Sequence, residues 1–128
     1  MITALYACIL AVLLIWLAIQ VIKQRRINKV AHADGGVESL QIARSAQSNA
    51  SEYIPITLIL MALLEFNGAQ PVWIHLTGII FVIGRIIHAR AILQESLKGR
   101  VKGMKLTFLI MVALVVLNMI YLPYGKLW

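Results

Sequence analysis

Acid is scarce in this chain. Asp and Glu supply five of its 128 residues against twelve Lys and Arg, and charged residues of both signs make up only 13%. There is a single cysteine, Cys8, so no disulfide can form within the chain. It falls inside an apolar run, where a buried thiol is expected to be inert. No Cys/His spacing of the metal-holding kind occurs, and no nucleophile–base pair can be placed. The glycines of "ADGGV" lack the spacing of a phosphate loop and read as a turn. No metal is therefore expected.

What the chain does have is apolar residue, 61% of the total. A soluble domain of this length has too little interior to hide that fraction. The apolar residues also come in long runs, which identifies an integral membrane protein. The net charge of +7 would point to nucleic acid in a soluble protein. Here the cations fill short gaps between apolar runs, so they read as topology signals and lipid-headgroup contacts. No nucleic-acid partner is expected.

The runs predict four membrane-spanning helices over about residues 2–22, 40–64, 72–93 and 104–122, each long enough to cross a bilayer. The first lacks a basic leader and a small-residue cleavage site, so it reads as a retained helix. Short connections between four helices predict one domain over residues 1–128, an all-α, up-down antiparallel bundle. The first connection carries Lys23, Arg25, Arg26 and Lys29, and the third carries Lys98, Arg100 and Lys102. The turn between the second and third helices, "EFNGAQP", has neither Lys nor Arg. The positive-inside rule then puts the basic connections in the cytoplasm and both termini outside. Trp73, Tyr121, Tyr124 and Trp128 become anchors at the outer interface.

The second helix does not look like a lipid-facing one. At about 100° per residue, Gln41, Arg44, Ser45, Ser48, Asn49, Ser51 and Glu52 share one arc, with Ala43, Ala46, Ala50 and Ile54 opposite. An acid at membrane depth is expected to face the bundle interior or a water-filled cavity and to take a partner. Arg85, at similar depth in the third helix, is the expected partner, giving a Glu52–Arg85 ion pair that fixes helix register. Pro55 is expected to bend the second helix. Arg25, Arg26, Arg44, Gln47, Ser48, Asn49, His88, Arg100 and Lys102 gather at the same end. Such a cluster of cations and amides near a carboxylate suits a small anionic ligand that also carries an amine.

Several segments, in order, resemble the MAPEG family, membrane-associated proteins of eicosanoid and glutathione metabolism. "NASEYIP" resembles the family's Asn-x-x-Glu-Tyr-x-Pro signature. "QVIKQRRINKV" is similar to the end of the first helix in a leukotriene synthase of the family. "GRIIHA", "RVKGMKLT", "ADGGVESLQIA" and "MALLEFNGA" resemble bacterial inner-membrane members. The resemblance spans nearly the whole chain. It implies a homotrimer of four-helix subunits in the inner membrane, with glutathione as co-substrate between subunits near the cytoplasmic side and a lipophilic small molecule arriving from the surrounding lipids. By position, it implies that Arg25, Gln47, Asn49, Glu52 and Tyr53 contact the ligand. His88 stands where a contacting tyrosine is usual, and Arg100 is the nearest match to the catalytic, thiolate-stabilising arginine, with Lys102 and Lys98 as alternatives. One departure is plain. The family's arginine four residues before the signature asparagine is Ser45 here, and Arg44 comes one place early, about 100° round the helix. The expected function is a glutathione transferase or peroxidase, and the alternative is a non-catalytic lipid- or ligand-binding scaffold.

Overall fold

The computed structural model describes residues 1–127. Four long helices account for nearly all of them: α1 (Thr3–Asn28), α2 (Glu38–Phe66), α3 (Pro71–Leu93) and α4 (Leu97–Tyr121), followed by a short 3-10 turn, Tyr124–Lys126. All four are long and apolar enough to cross a membrane, and no strand occurs among the described residues. The expected anchor Trp128 lies outside the described residues; Trp73 and Tyr124 are exposed and Tyr121 is half-buried.

The helices alternate in direction, as side-chain bonds at one end record. At one end, the Glu65 carboxylate at the close of α2 accepts the backbone N–H groups of Ile2 and of Thr3 (2.8 Å) at the start of α1. There too the Tyr6 hydroxyl lies 2.7 Å from His75 Nδ1 near the start of α3. Asn118, near the end of α4, donates to the Leu60 carbonyl of α2 at 3.0 Å. The opposite end gathers the residues of the basic connections. A carboxylate over the first N–H groups of a helix satisfies donors that have no intrahelical partner and favours the positive end of the helix dipole. Glu65, read from sequence only as part of a turn, is thus a cap supplied from another helix.

Two helix boundaries differ from the sequence expectation, both at the basic end. α1 runs on through "KQRRIN" to Asn28. Lys, Gln and Arg are good helix formers, and Arg25 and Arg26 in the last turn suit the negative end of the dipole. α4 begins at Leu97 rather than near residue 104, because Ser96 caps it by accepting the Gly99 N–H at 3.3 Å. The third connection is therefore only residues 94–96, and Lys98, Arg100 and Lys102 ride on the first turns of a helix.

α2 and α3 form the central diagonal. Each packs against α1 and α4, while α1 and α4 do not meet among the described residues. Leu10, Leu17, Ala46, Ala50, Met61, Leu64, Ile74, Phe81 and Leu114 fill the core. α1 contributes Tyr6, Leu10 and Leu17, and its exposed side carries Leu5, Ile9, Val12 and Ile15. Cys8 lies on the outside of the bundle rather than in an apolar core as expected. α2 is continuous through Pro55, and Thr57 bonds back to the Tyr53 carbonyl at 2.8 Å.

The tightest helix contact is between α3 and α4, and it depends on small residues. A Cβ placed on Gly103 would lie 2.5 Å from His88 Cβ and 2.8 Å from its backbone. One placed on Gly99 would lie 2.7 Å from Ala91 Cβ. Gly99 and Gly103 form a Gly-x-x-x-Gly pair within "GRVKG", the spacing that lets two helix backbones approach closely in a membrane. A methyl at Gly103 must push against backbone rather than a flexible side-chain tip. Gly103→Ala is expected to cost about 1–3 kcal/mol of unfolding free energy in mixed micelles. Gly125→Ala, where nothing lies within 4 Å, is expected to stay within about 0.5 kcal/mol. Equal stability of the two variants would show that α3 and α4 are not packed this closely.

Candidate functional site

Arg85 is wholly buried and organises the basic end of the bundle. One terminal nitrogen, Nη2, donates to Asn49 Oδ1 at 2.7 Å. The other, Nη1, reaches Thr107 Oγ1 at 3.3 Å and Met104 Sδ at 3.8 Å. The guanidinium carbon lies 5.8 Å from the centre of the Tyr53 ring, close enough for cation–π attraction. Tyr53 in turn meets Phe108 edge-on, with centroids 5.6 Å apart. Thr107 donates its hydroxyl proton to the Gly103 carbonyl at 2.9 Å, which leaves its lone pairs for Arg85. Arg85 Nε has no partner among the described residues. Three helices thus meet on one cation.

The expected Glu52–Arg85 ion pair is not formed. Glu52 is exposed and accepts a bond of 3.3 Å from the Ser48 hydroxyl on its own helix. The geometry of α2 explains this. Ala50 is fully buried, and Glu52 lies about 200° round the helix from it. Asn49 is at the edge of the buried side and takes the contact instead. The same rotation corrects the wider expectation for the polar arc, because Gln41, Arg44, Ser45, Ser48 and Glu52 face outward from the four-helix subunit rather than into its core. Gln47, about 60° from buried Ala46's successor face at Ala50, is half-buried and stands apart from that arc.

The orientation of Asn49 follows from chemistry. A guanidinium only donates hydrogen bonds, so the amide must turn its oxygen to Arg85. Its NH2 group is then left to point elsewhere. Asn49 lines two clefts at once. One, of about 450 Å³, is also lined by Asp34, Gln41, Arg44, Ser45, Ser48 and Glu52. The other, of about 390 Å³, adds His88, Leu97, Arg100, Val101, Met104, Lys105 and Phe108. A third cleft shares Gln41 and Ser45 with the first and Leu97 and Arg100 with the second. Together they make a polar crescent around the basic ends of α2, α3 and α4, with an apolar wall at Met104 and Phe108.

Within this frame the sequence-derived residues separate. Arg44, Asn49, Glu52, His88 and Arg100 line the crescent. His88 is almost fully buried, with Nδ1 unpartnered among the described residues. Arg44 pairs with Asp34 at 3.8 Å in an exposed ion pair, an interaction worth at most about 1 kcal/mol. Arg25 does not line the first cleft. It donates to the Ala33 carbonyl at 2.8 Å and so straps the connection between α1 and α2. Tyr53 turns its ring to Arg85 and Phe108. Of the alternatives to Arg100, Lys98 and Lys102 line a separate cleft on the outer side of α4, and neither joins Asn49 and His88. Sequence reasoning missed Thr107, Met104 and Phe108, because one threonine within an apolar run carries no spacing signal. It also missed the glycine pair, whose segment was read as a connection.

This arrangement belongs to a recognisable class. A model of the MAPEG family matches residues 3–120, nearly the whole chain, and the protein belongs to that family. It is 36% identical over 124 residues to the inner membrane protein YecN of Escherichia coli strain K12, covering 97% of this chain and 95% of that one. The YecN protein of Escherichia coli O6:H1 matches to the same extent. The four apolar helices and these inner-membrane relatives support an integral inner membrane protein.

The hydrogen-bond pattern gives a sharp energetic expectation. Residues in direct contact couple by about 0.5–3 kcal/mol in double-mutant cycles, whereas separated ones add within about 0.5 kcal/mol. Arg85→Met with Asn49→Ala is expected to show coupling in the first range. Arg85→Met with Glu52→Ala is expected to be additive. Strong Arg85–Glu52 coupling in mixed-micelle unfolding would restore the ion pair.

Proposed function

We propose that the protein binds glutathione in the crescent at its basic end and presents the thiol, as thiolate, to lipophilic electrophiles or lipid hydroperoxides. The observation that carries this reading is the cleft in which Asn49, its amide oriented by Arg85, faces His88 and Arg100 beside the apolar wall of Met104 and Phe108. The donor set fits the ligand. Arg44 and Arg100 suit carboxylates and a thiolate, Asn49 offers N–H donors to a peptide carbonyl, and Asp34 and Glu52 suit an ammonium group. Family membership supports the same ligand class.

A free thiol has a pKa of about 8.5, so little of it is thiolate at neutral pH. A guanidinium beside the sulfur favours the anion. Arg100 is assigned that role, and no side chain of the protein forms a covalent bond. Bound glutathione supplies the nucleophile, and Met104 and Phe108 receive the apolar partner. The polar arc of α2 argues for a homotrimer, because an acid and serines facing outward at membrane depth need a polar cover. With basic connections inside, the crescent opens to the cytoplasm and the termini lie outside.

A second reading is a ligand-binding scaffold without catalysis. It is favoured by Ser45 at the family's arginine position and by the engagement of Arg44 with Asp34. Titrating detergent-purified protein with glutathione while following thiolate absorbance separates the two. The wild type is expected to give a saturable signal, and Arg100→Ala is expected to lose it with no change in oligomer mass. Thiolate retained in Arg100→Ala would remove that residue from the role. No signal from a wild type that still binds lipid would establish the scaffold reading.

A further inference from the structure

The outer side of α4 carries a cleft that borders the crescent, sharing Leu97, Val101 and Lys105 with it, and adds Lys98 and Lys102, which the crescent does not use. Lys98, Lys102 and Lys105 follow one another at four- and three-residue spacing and share a cleft of about 500 Å³, otherwise lined by Leu97, Val101 and Leu106. All three lysines are exposed. None is ion-paired among the described residues, and α4 contains no Asp or Glu. This placement works against the helix. Like charges three and four residues apart repel, and cations near a helix N-terminus oppose its dipole. A bound anion at this cleft would offset that repulsion.

The stripe does not stop at Lys105. The same four- and three-residue steps lead to Leu109, Val112 and Val116, which are 59%, 62% and 51% exposed. The buried line of α4 is Gly103, Thr107, Ile110 and Leu114. The exposed stripe starts two residues later, about 200° round the helix, so it faces directly away from the bundle. From Lys98 to Lys105 the rise is about 10 Å. That depth takes in the roughly 5–8 Å of headgroup region on one side of a bilayer and the start of its hydrocarbon. Leu109 to Val116 adds about 10 Å, most of the roughly 15 Å of hydrocarbon in one leaflet. A cationic head and an apolar tail, in line and of these lengths, match one amphiphile.

We propose that this stripe is a binding site for an anionic phospholipid of the surrounding leaflet. Its phosphate group is held by Lys98, Lys102 and Lys105, and an acyl chain lies along Leu109, Val112 and Val116. The lysine stems cover the apolar rim while their ammonium groups reach the headgroup. The inference does not depend on glutathione binding.

The test is a lipid titration of the purified full chain in uncharged detergent, read by native mass spectrometry. Phosphatidylglycerol and phosphatidylcholine of the same acyl chains are compared, for the wild type and for a variant combining Lys98→Gln, Lys102→Gln and Lys105→Gln. These surface changes are checked for unaltered helix content and oligomer mass. A lysine beside an anionic surface is worth roughly fivefold in affinity. The wild type is expected to prefer phosphatidylglycerol by at least about tenfold, and the variant to lose that preference. A wild type that binds both lipids equally would overturn the proposal, as would a variant that keeps the preference. Competition by glycerol phosphate at lipid concentrations would overturn it in favour of a soluble anion. Loss of oligomer in the variant would overturn it in favour of a second copy of the chain.

Discussion

A guanidinium with no exposure to solvent has to be held from several sides, and in this protein Arg85 is held by three helices. Its bonds run from α3 to Asn49 on α2 and to Thr107 on α4, and Tyr53 lies beneath the charge. Burying a cation without such partners costs several kcal/mol. Any displacement of α2 or α4 that opens these bonds is therefore opposed. The same contacts decide how the site presents itself. Arg85 fixes which end of the Asn49 amide it keeps, and the helix pair carrying Arg85 and Thr107 also places His88 beside Arg100 in one cleft. The packing of three helices and the shape of the cleft meet in a single set of hydrogen bonds.

The close approach of α3 and α4 extends that constraint. Gly103 has no side chain to hold its helix away from His88, and its carbonyl receives the Thr107 proton that frees Thr107 to accept from Arg85. Gly99 sits against Ala91 one turn earlier. The glycine pair therefore brings Arg100, which lies between its two members, to the crescent, while Lys98 and Lys102 are turned to the other side. Helix rotation alone separates Arg100, beside Asn49 and His88, from Lys98 and Lys102, in the cleft on the outer side of α4.

Much of the fold was legible from the apolar runs. Four spans, their order, and the alanine face of α2 with Ala43, Ala46 and Ala50 all follow from hydropathy and helical period. The ends of α1 and α4 were harder, because cations that mark a loop by charge are good helix formers by propensity, and Ser96 set a start that charge alone obscured. The candidate site was legible in part, since Arg25, Arg26, Gln47 and Lys102 of the expected cluster do not line the two clefts that share Asn49. Arg44 and Glu52 line one cleft, His88 and Arg100 another, and Asn49 joins the two. Yet two polar groups at similar depth need not face each other, and Asn49 rather than Glu52 occupies the side of α2 that meets Arg85. Reading the arc as inward rested on the cost of an acid in lipid. That cost would be met equally by an outward arc if a neighbouring subunit covered it, as in the proposed homotrimer.

The central claim is that Arg85 holds the Asn49 oxygen and leaves the Asn49 NH2 for ligand. The most direct test is nuclear magnetic resonance of protein labelled with 15N-asparagine, with the Asn49 side-chain pair assigned by its loss in Asn49→Asp. Addition of glutathione is expected to shift the Asn49 NH2 signals and leave those of Asn118, at the other end of the bundle, unmoved. An Asn49 pair that stays in place while glutathione is bound would contradict the account.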